Sequence, residues 1–181
     1  MTSPTADVSC RVAWADDAPA IAALQVRTWK SSYADLVPPE ALDLDEAAVA
    51  EAWRASLVKP LDARNRVLVA LERNRVLGFA VTGPASDPDC DPVSDAELME
   101  FNVDPDARGQ GHGSRLLQAA VDTMRADRFT RAVLWSIATD DALRKFLTEA
   151  GWDADTAHRE LDLEGDGTTL VKQVRLHTAF S

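Results

Sequence analysis

Cysteine, tyrosine and methionine are scarce in this chain of 181 residues, with two, one and three copies. Cys10 and Cys90 stand at no metal-like or redox-like spacing, which argues against a disulfide scaffold and reads as two reduced thiols in a cytoplasmic protein. Long hydrophobic runs are missing too. Nothing approaches the roughly 18 to 20 apolar residues of a membrane span, and Met1 to Ser9 lack the basic-then-apolar layout of a secretory signal. No membrane partner is expected. Positive charge is short: 19 Lys and Arg against 30 Asp and Glu leave a net charge of −11. Such a chain repels a phosphate backbone, so nucleic acid is a poor partner. Between Pro84 and Ala107 there are eight acids and no Lys or Arg. That stretch reads either as a solvated acidic loop or as a field that attracts a small cationic amine. Asp87, Asp89 and Asp91 imitate a calcium loop, but Pro92 and Leu98 stand where its glycine and glutamate belong, so no metal is expected.

What remains is one domain's worth of ordinary globular sequence, 46% hydrophobic and 27% charged. Residues 1–8 read as a disordered tail and 9–181 as a single domain. Ser9 to Trp14 is strand-like. Asp16 or Asp17 caps a helix through Ile21, Leu24, Val26 and Trp29, which Ser31-Ser32-Tyr33 breaks. Pro38-Pro39 introduces a second helix, where Val49, Trp53 and Leu57 share a face. Arg66 to Leu71 and Val76 to Val81 form a hairpin, and Glu97 to Val103 is a strand ended by Asp104-Pro105. A helix follows, then the strand Ala132 to Ile137, a helix begun by Thr139 or Asp140 and stopped by Gly151, and two final strands. The order β-α-α-β-β-β-α-β-α-β-β predicts an α/β fold, a mixed and mostly antiparallel sheet flanked by helices.

One segment carries chemistry. Between a strand and a helix lies Arg108-Gly109-Gln110-Gly111-His112-Gly113-Ser114. Glycines there permit positive φ and remove the Cβ atoms that block a ligand, while the helix start offers free N–H groups and its dipole to an anion such as a pyrophosphate. A P-loop would need Lys-Ser/Thr after four intervening residues. A dinucleotide fingerprint would need G-x-G-x-x-G and an acid about 20 residues on, where Arg131 stands instead. Arg108, Gly111 and Gly113 fit the Arg/Gln-x-x-Gly-x-Gly of acetyltransferases in register.

With Phe101-Asn102-Val103-Asp104-Pro105 running into Arg108 to Ser114, the chain resembles the GNAT superfamily of N-acetyltransferases from about Val8 to Leu176. Trp29 with Tyr33, Leu134-Trp135 and Gly151-Trp152 point to its bacterial, small-molecule-type branch. The resemblance implies acetyl-CoA as acyl donor, its pantetheine arm paired with Phe101, Asn102 and Val103, and its pyrophosphate held by Gly109, Gln110, Gly111, His112, Gly113 and Ser114 with Arg108 beside them. For His112 the backbone N–H matters more than the ring. The resemblance also allows a homodimer. Two positions depart from the pattern. Asp140 stands for the usual Asn before the last helix, where it caps the helix and can also touch the cofactor. Leu147 stands for the usual Tyr that is proposed to protonate the leaving thiolate.

Transfer to a primary amine needs a base, because alkyl amines are protonated near neutral pH. Glu97 is the first candidate, since its offset from Val103 matches the catalytic glutamate of the histone-acetylating branch. Glu100 is the second, because alternation places it on the opposite strand face unless a β-bulge intervenes. A strand N–H near Val103 would serve the oxyanion. The resemblance implies that Tyr33 and Trp29 border the acceptor site. The rival reading, motivated by Leu147 and Asp140, is an acyl-CoA-binding or sensing module with weak or no catalysis.

Overall fold

Apolar residues dominate Arg66–Glu72 and Arg75–Pro84, which pair antiparallel and are covered on both faces. The computed structural model describes residues 7–181. Seven strands form one sheet: β1 (Val8–Val12), β2 (Arg66–Glu72), β3 (Arg75–Pro84), β4 (Asp95–Val103), β5 (Arg131–Ile137), β6 (Asp153–Asp162) and β7 (Leu170–Ala179), in the order β1-β2-β3-β4-β5-β7-β6. Every neighbouring pair is antiparallel except β4 with β5. Four α-helices accompany it: α1 (Ala18–Tyr33), α2 (Glu46–Val58), α3 (His112–Ala126) and α4 (Asp141–Glu149).

The helices divide between the two faces. Leu116, Leu117, Ala120 and Met124 of α3 and Leu147 of α4 share a core with Leu68, Ala80, Leu98, Leu134 and Leu176. Ile21 and Leu24 of α1, joined by Trp53 and Leu57 of α2, pack on Val69, Leu71 and Phe79 on the other side. Leu147, the residue in the usual tyrosine position, is wholly enclosed in the first of these cores.

Three local expectations shift. Helix α1 runs through Ser31-Ser32 to Tyr33, whose side chain is buried against Val37, Leu42 and Val171. Tertiary burial outweighs the weak helix preference of the serines. Pro38-Pro39 opens a 3₁₀ turn, Pro39–Leu42, and α2 begins only at Glu46, where Asp45 accepts from the N–H groups of Ala47 and Ala48. Asp17 does not cap α1 with its side chain. It instead binds Arg11 at 2.7 Å and the N–H of Trp14 at 2.6 Å. The expected tail falls largely on residues 1–6, outside the described residues. Val8 already belongs to β1.

Candidate active site

Strand β4 carries the site, and its two edges differ. On one edge it pairs with β3 along nearly its whole length; on the other it meets β5 only at Asp95–Arg131, Ala96–Ala132 and Glu97–Val133. Beyond Glu97 the two strands diverge, so Leu98 to Val103 present a free main-chain edge. The N–H of Asp104 donates to Leu77 O at 2.8 Å, on the β3 side. Alternation then aims the N–H and C=O of Phe101 and Val103 into the gap and those of Asn102 at β3. The Asn102 side chain donates to Glu100 Oε2 at 2.9 Å.

The gap opens towards the glycine loop. Gly109 and Gly111 have φ of +75° and +87°, the left-handed region, and Gly111 precedes α3 as its N-cap with no side-chain cap bond. The first N–H groups of α3 therefore have no intrahelical acceptor and point outward from an exposed loop. A methyl built on Gly113 would lie 3.6 Å from Phe146 and 3.7 Å from Val103, so the helix start, the end of β4 and α4 converge. Phe101 and Phe146 stack across that junction with centroids 5.9 Å apart. Arg108, Gln110 and Ser114 are exposed beside the loop, and His112 is buried. Asp140 accepts from the N–H of Leu143 at 3.0 Å, the expected helix cap. Free donors at one helix start, next to an unpaired strand edge, fit a group with a pyrophosphate and an amide-bearing arm.

On the α1 side of β4 the carboxylates gather. Val81 pairs with Glu100 and Thr82 with Leu98, so Met99 is an extra residue, a β-bulge. The bulge undoes the alternation and puts Glu97 and Glu100 on the same face. Glu97 is 8% exposed, and the Ser86 hydroxyl donates to its Oε2 at 3.4 Å. Burial first, then the charge of Asp87, raises its pKa above the ordinary glutamate value; Ser86 and Arg159 oppose the rise. Burial also raises Glu100, against the amide of Asn102. The phenol of Tyr33 is pushed up to about 12 by burial and by the charge of Glu100. Trp29 lies 5.5 Å from Tyr33, ring to ring, at the end of the same helix.

Sequence reasoning missed the network beside Glu97. Arg175 on β7, 7% exposed, binds Asp89 at 2.6 Å, Asp155 at 2.7 Å and Asp87 at 3.4 Å, while Trp135 Nε1 donates to Asp87 at 2.9 Å. These bonds fold the β3–β4 loop over the sheet, with Ser86 against Glu97. Arg175 holds Asp89 down to about 2. Asp87, Asp89 and Cys90 converge closely enough to suggest a metal cluster, but the cation between the two carboxylates is the guanidinium. An arginine between Val174 and Leu176 in a buried strand was the available signal. Arg175→Gln would take from Asp87 and Asp155, both mostly buried, the guanidinium that binds them, leaving Trp135 on the one and Arg131 at 3.5 Å on the other, and is expected to destabilise the protein by about 3 kcal/mol in denaturant unfolding.

Comparison with known proteins agrees with this geometry. The Salmonella typhimurium protein yncA, held with its cofactor acetyl-CoA, superposes with a TM-score of 0.71 at 18% identity, over 97% of this chain and 95% of its own. The PaiA N-acetyltransferase of Thermoplasma acidophilum, in complex with coenzyme A, gives 0.68 at 15% identity over 96% and 99%. A ribosomal-protein-alanine N-acetyltransferase from Brucella melitensis gives 0.72 at 20% over 95% and 99%. At such identities the likeness speaks for the fold. Among curated proteins no significant match is found. The family model described as Acetyltransferase (GNAT) family matches residues 20–152, most of the chain and all of β4, the glycine loop, α3 and α4. The chain belongs to the GNAT acetyltransferase family.

Proposed function

We propose that the protein moves an acetyl group from acetyl-CoA to the primary amine of a small molecule by direct attack. The observation that carries this reading is the free edge of β4 ending at an uncapped helix start, with two carboxylates of raised pKa on the same strand. Bound acetyl-CoA supplies an activated thioester. The N–H groups of α3's first turn, with Arg108 alongside, hold the pyrophosphate. The main chain of Phe101 and Val103 holds the pantetheine arm, and the Val103 N–H faces the charge that develops on the carbonyl oxygen.

Glu97 takes the ammonium proton, directly or through one water, and Glu100 with Tyr33 orients the amine from the α1 side. The acidic segment contributes less than its composition suggests. Asp87 and Asp89 are bound by Arg175, Asp95 lies 3.6 Å from Arg131, and Asp104 binds Arg27 at 2.6 Å. Of the segment's eight acids, Glu97, Glu100, Asp91 and Asp106 have no salt bridge among the described residues, and only Glu97 and Glu100 of these stand on β4. Leu147 lacks a hydroxyl, so the leaving thiolate takes its proton from water or the acceptor's own proton. Among the described residues no helix is long and apolar enough to cross a membrane, and Cys10 and Cys90 are unpaired thiols, which fits a cytoplasmic setting.

The test is thiol release from acetyl-CoA across a panel of amines, beside calorimetric titration with acetyl-CoA. Saturable release with at least one amine is expected. Tight binding without release from any amine would leave a sensing module instead.

A further inference from the structure

Two guanidinium groups flank the indole of Trp135, Arg159 at 4.2 Å and Arg175 at 5.6 Å from its ring centre. They differ in what satisfies them. Arg175 is enclosed and takes three carboxylates. The Arg159 side chain is 40% exposed, and its Nε donates to the neutral Gln173 Oε1 at 2.7 Å. The nearest carboxylate oxygen, on Asp87, is 4.0 Å away, and the two Nη groups make no hydrogen bond among the described residues. Were Arg159 there only to neutralise the acidic loop, its fork would close on Asp87 as that of Arg175 closes on Asp89. Instead, stacking on Trp135 and the bond to Gln173 fix its plane and leave its outer edge open, the arrangement suited to a bidentate oxyanion.

Its position ties it to the proposed chemistry. Strand pairing runs Arg159–Gln173–Ile137 across β6, β7 and β5, and paired residues share a face. Ile137 in turn shares a face with Trp135 and Val133, and Val133 pairs with Glu97. The field of Arg159 reaches Glu97. At the far side, Ile137 packs in the cluster with Tyr33 and Trp29. One face therefore carries two carboxylates that no guanidinium binds directly and one guanidinium whose nearest carboxylate oxygen is 4.0 Å away.

From this arrangement we propose that the acceptor is amino-acid-like, a small molecule whose carboxylate or similar oxyanion binds Arg159 while its amine faces Glu97. This rests on the acetyl-transfer reading and names its substrate class. The test uses matched sets: each standard amino acid, its amide and its decarboxylated amine, as with leucine, leucinamide and isopentylamine. Thiol release is measured on the wild type, Arg159→Gln and Arg159→Lys. Amides are less basic and carry more free amine at neutral pH, so simple nucleophilicity works against the expected result. At least one amino acid should exceed its amide and amine by about tenfold or more in kcat/KM, through KM. Arg159→Gln should erase that preference, Arg159→Lys should restore part of it, and acetyl-CoA affinity should stay unchanged in both. Release from amines and amides as good as from amino acids, or an equal loss on all three in Arg159→Gln, overturns the inference and leaves the acetyltransferase reading standing. No release from any member overturns both.

Discussion

Glutamate in place of Gly111 is expected to lower acetyl-CoA affinity by at least about a hundredfold while the protein stays folded. Like charges about 4 Å apart repel by about 4 kcal/mol at an effective dielectric of about 20, and a hundredfold needs only about 2.7 of that. The fold should tolerate the change. Gly111 is exposed, and a Cβ there meets only the Arg115 guanidinium, at 3.2 Å, which is the mobile end of a long side chain. The left-handed φ of +87° adds a strain of about 1–2 kcal/mol for any L side chain. Gly111→Ala carries that strain without the charge and separates the two effects. Calorimetric titration, with an unfolding curve for each variant, reads both. Undiminished affinity in a folded Gly111→Glu protein would move the pyrophosphate away from this helix.

Glu97→Gln should reduce kcat about 10²- to 10³-fold with an identified acceptor, the usual range for losing a positioned base. Glu100→Gln should cost less. A base works only when deprotonated, so the acid limb of kcat/KM should lie above the ordinary glutamate value, in the direction burial and Asp87 push Glu97. Stability should run the other way. A folded-state pKa above the unfolded one means the native protein binds the proton more tightly, a stabilisation present at low pH and lost as pH rises through the folded pKa. At neutral pH the ionised Glu97 is then a net cost, and Glu97→Gln should unfold at a higher temperature than the wild type. Full turnover retained by Glu97→Gln across about pH 6 to 9 would remove it as the base and leave Glu100 on the same face.

The glycine loop that opens α3 and the order of elements were legible because they are local. Glycine spacing, helix periodicity and the Asp140 cap each depend on a few neighbouring residues, and the mixed, mostly antiparallel sheet followed from their order. The relation between Glu97 and Glu100 was not legible. It turns on one extra residue, Met99, and an extra residue in a strand shows only against the register of its partner β3. Arg175 and Asp87 are 88 positions apart, and nothing in either segment alone reveals the other. The same holds for Arg159, whose openness depends on Trp135 and Gln173 taking up its guanidinium face and Nε. Pro38-Pro39 misled for a different reason: proline suits a helix start but also a 3₁₀ turn, and Asp45 further on offered the better cap.

The single parallel seam of the sheet has a mechanical meaning. Three residue pairs stitch the four-stranded half, β1 to β4, to the three-stranded half, β5, β7 and β6. A molecule lying along Leu98 to Val103 extends that stitching as a short extra strand would. On the proposed binding mode the acyl donor would be a girder as well as a reagent, and binding energy spent on it would stiffen the joint between the halves. Release of the spent carrier would then loosen the joint again, and the protein's rigidity would rise and fall in step with its chemistry.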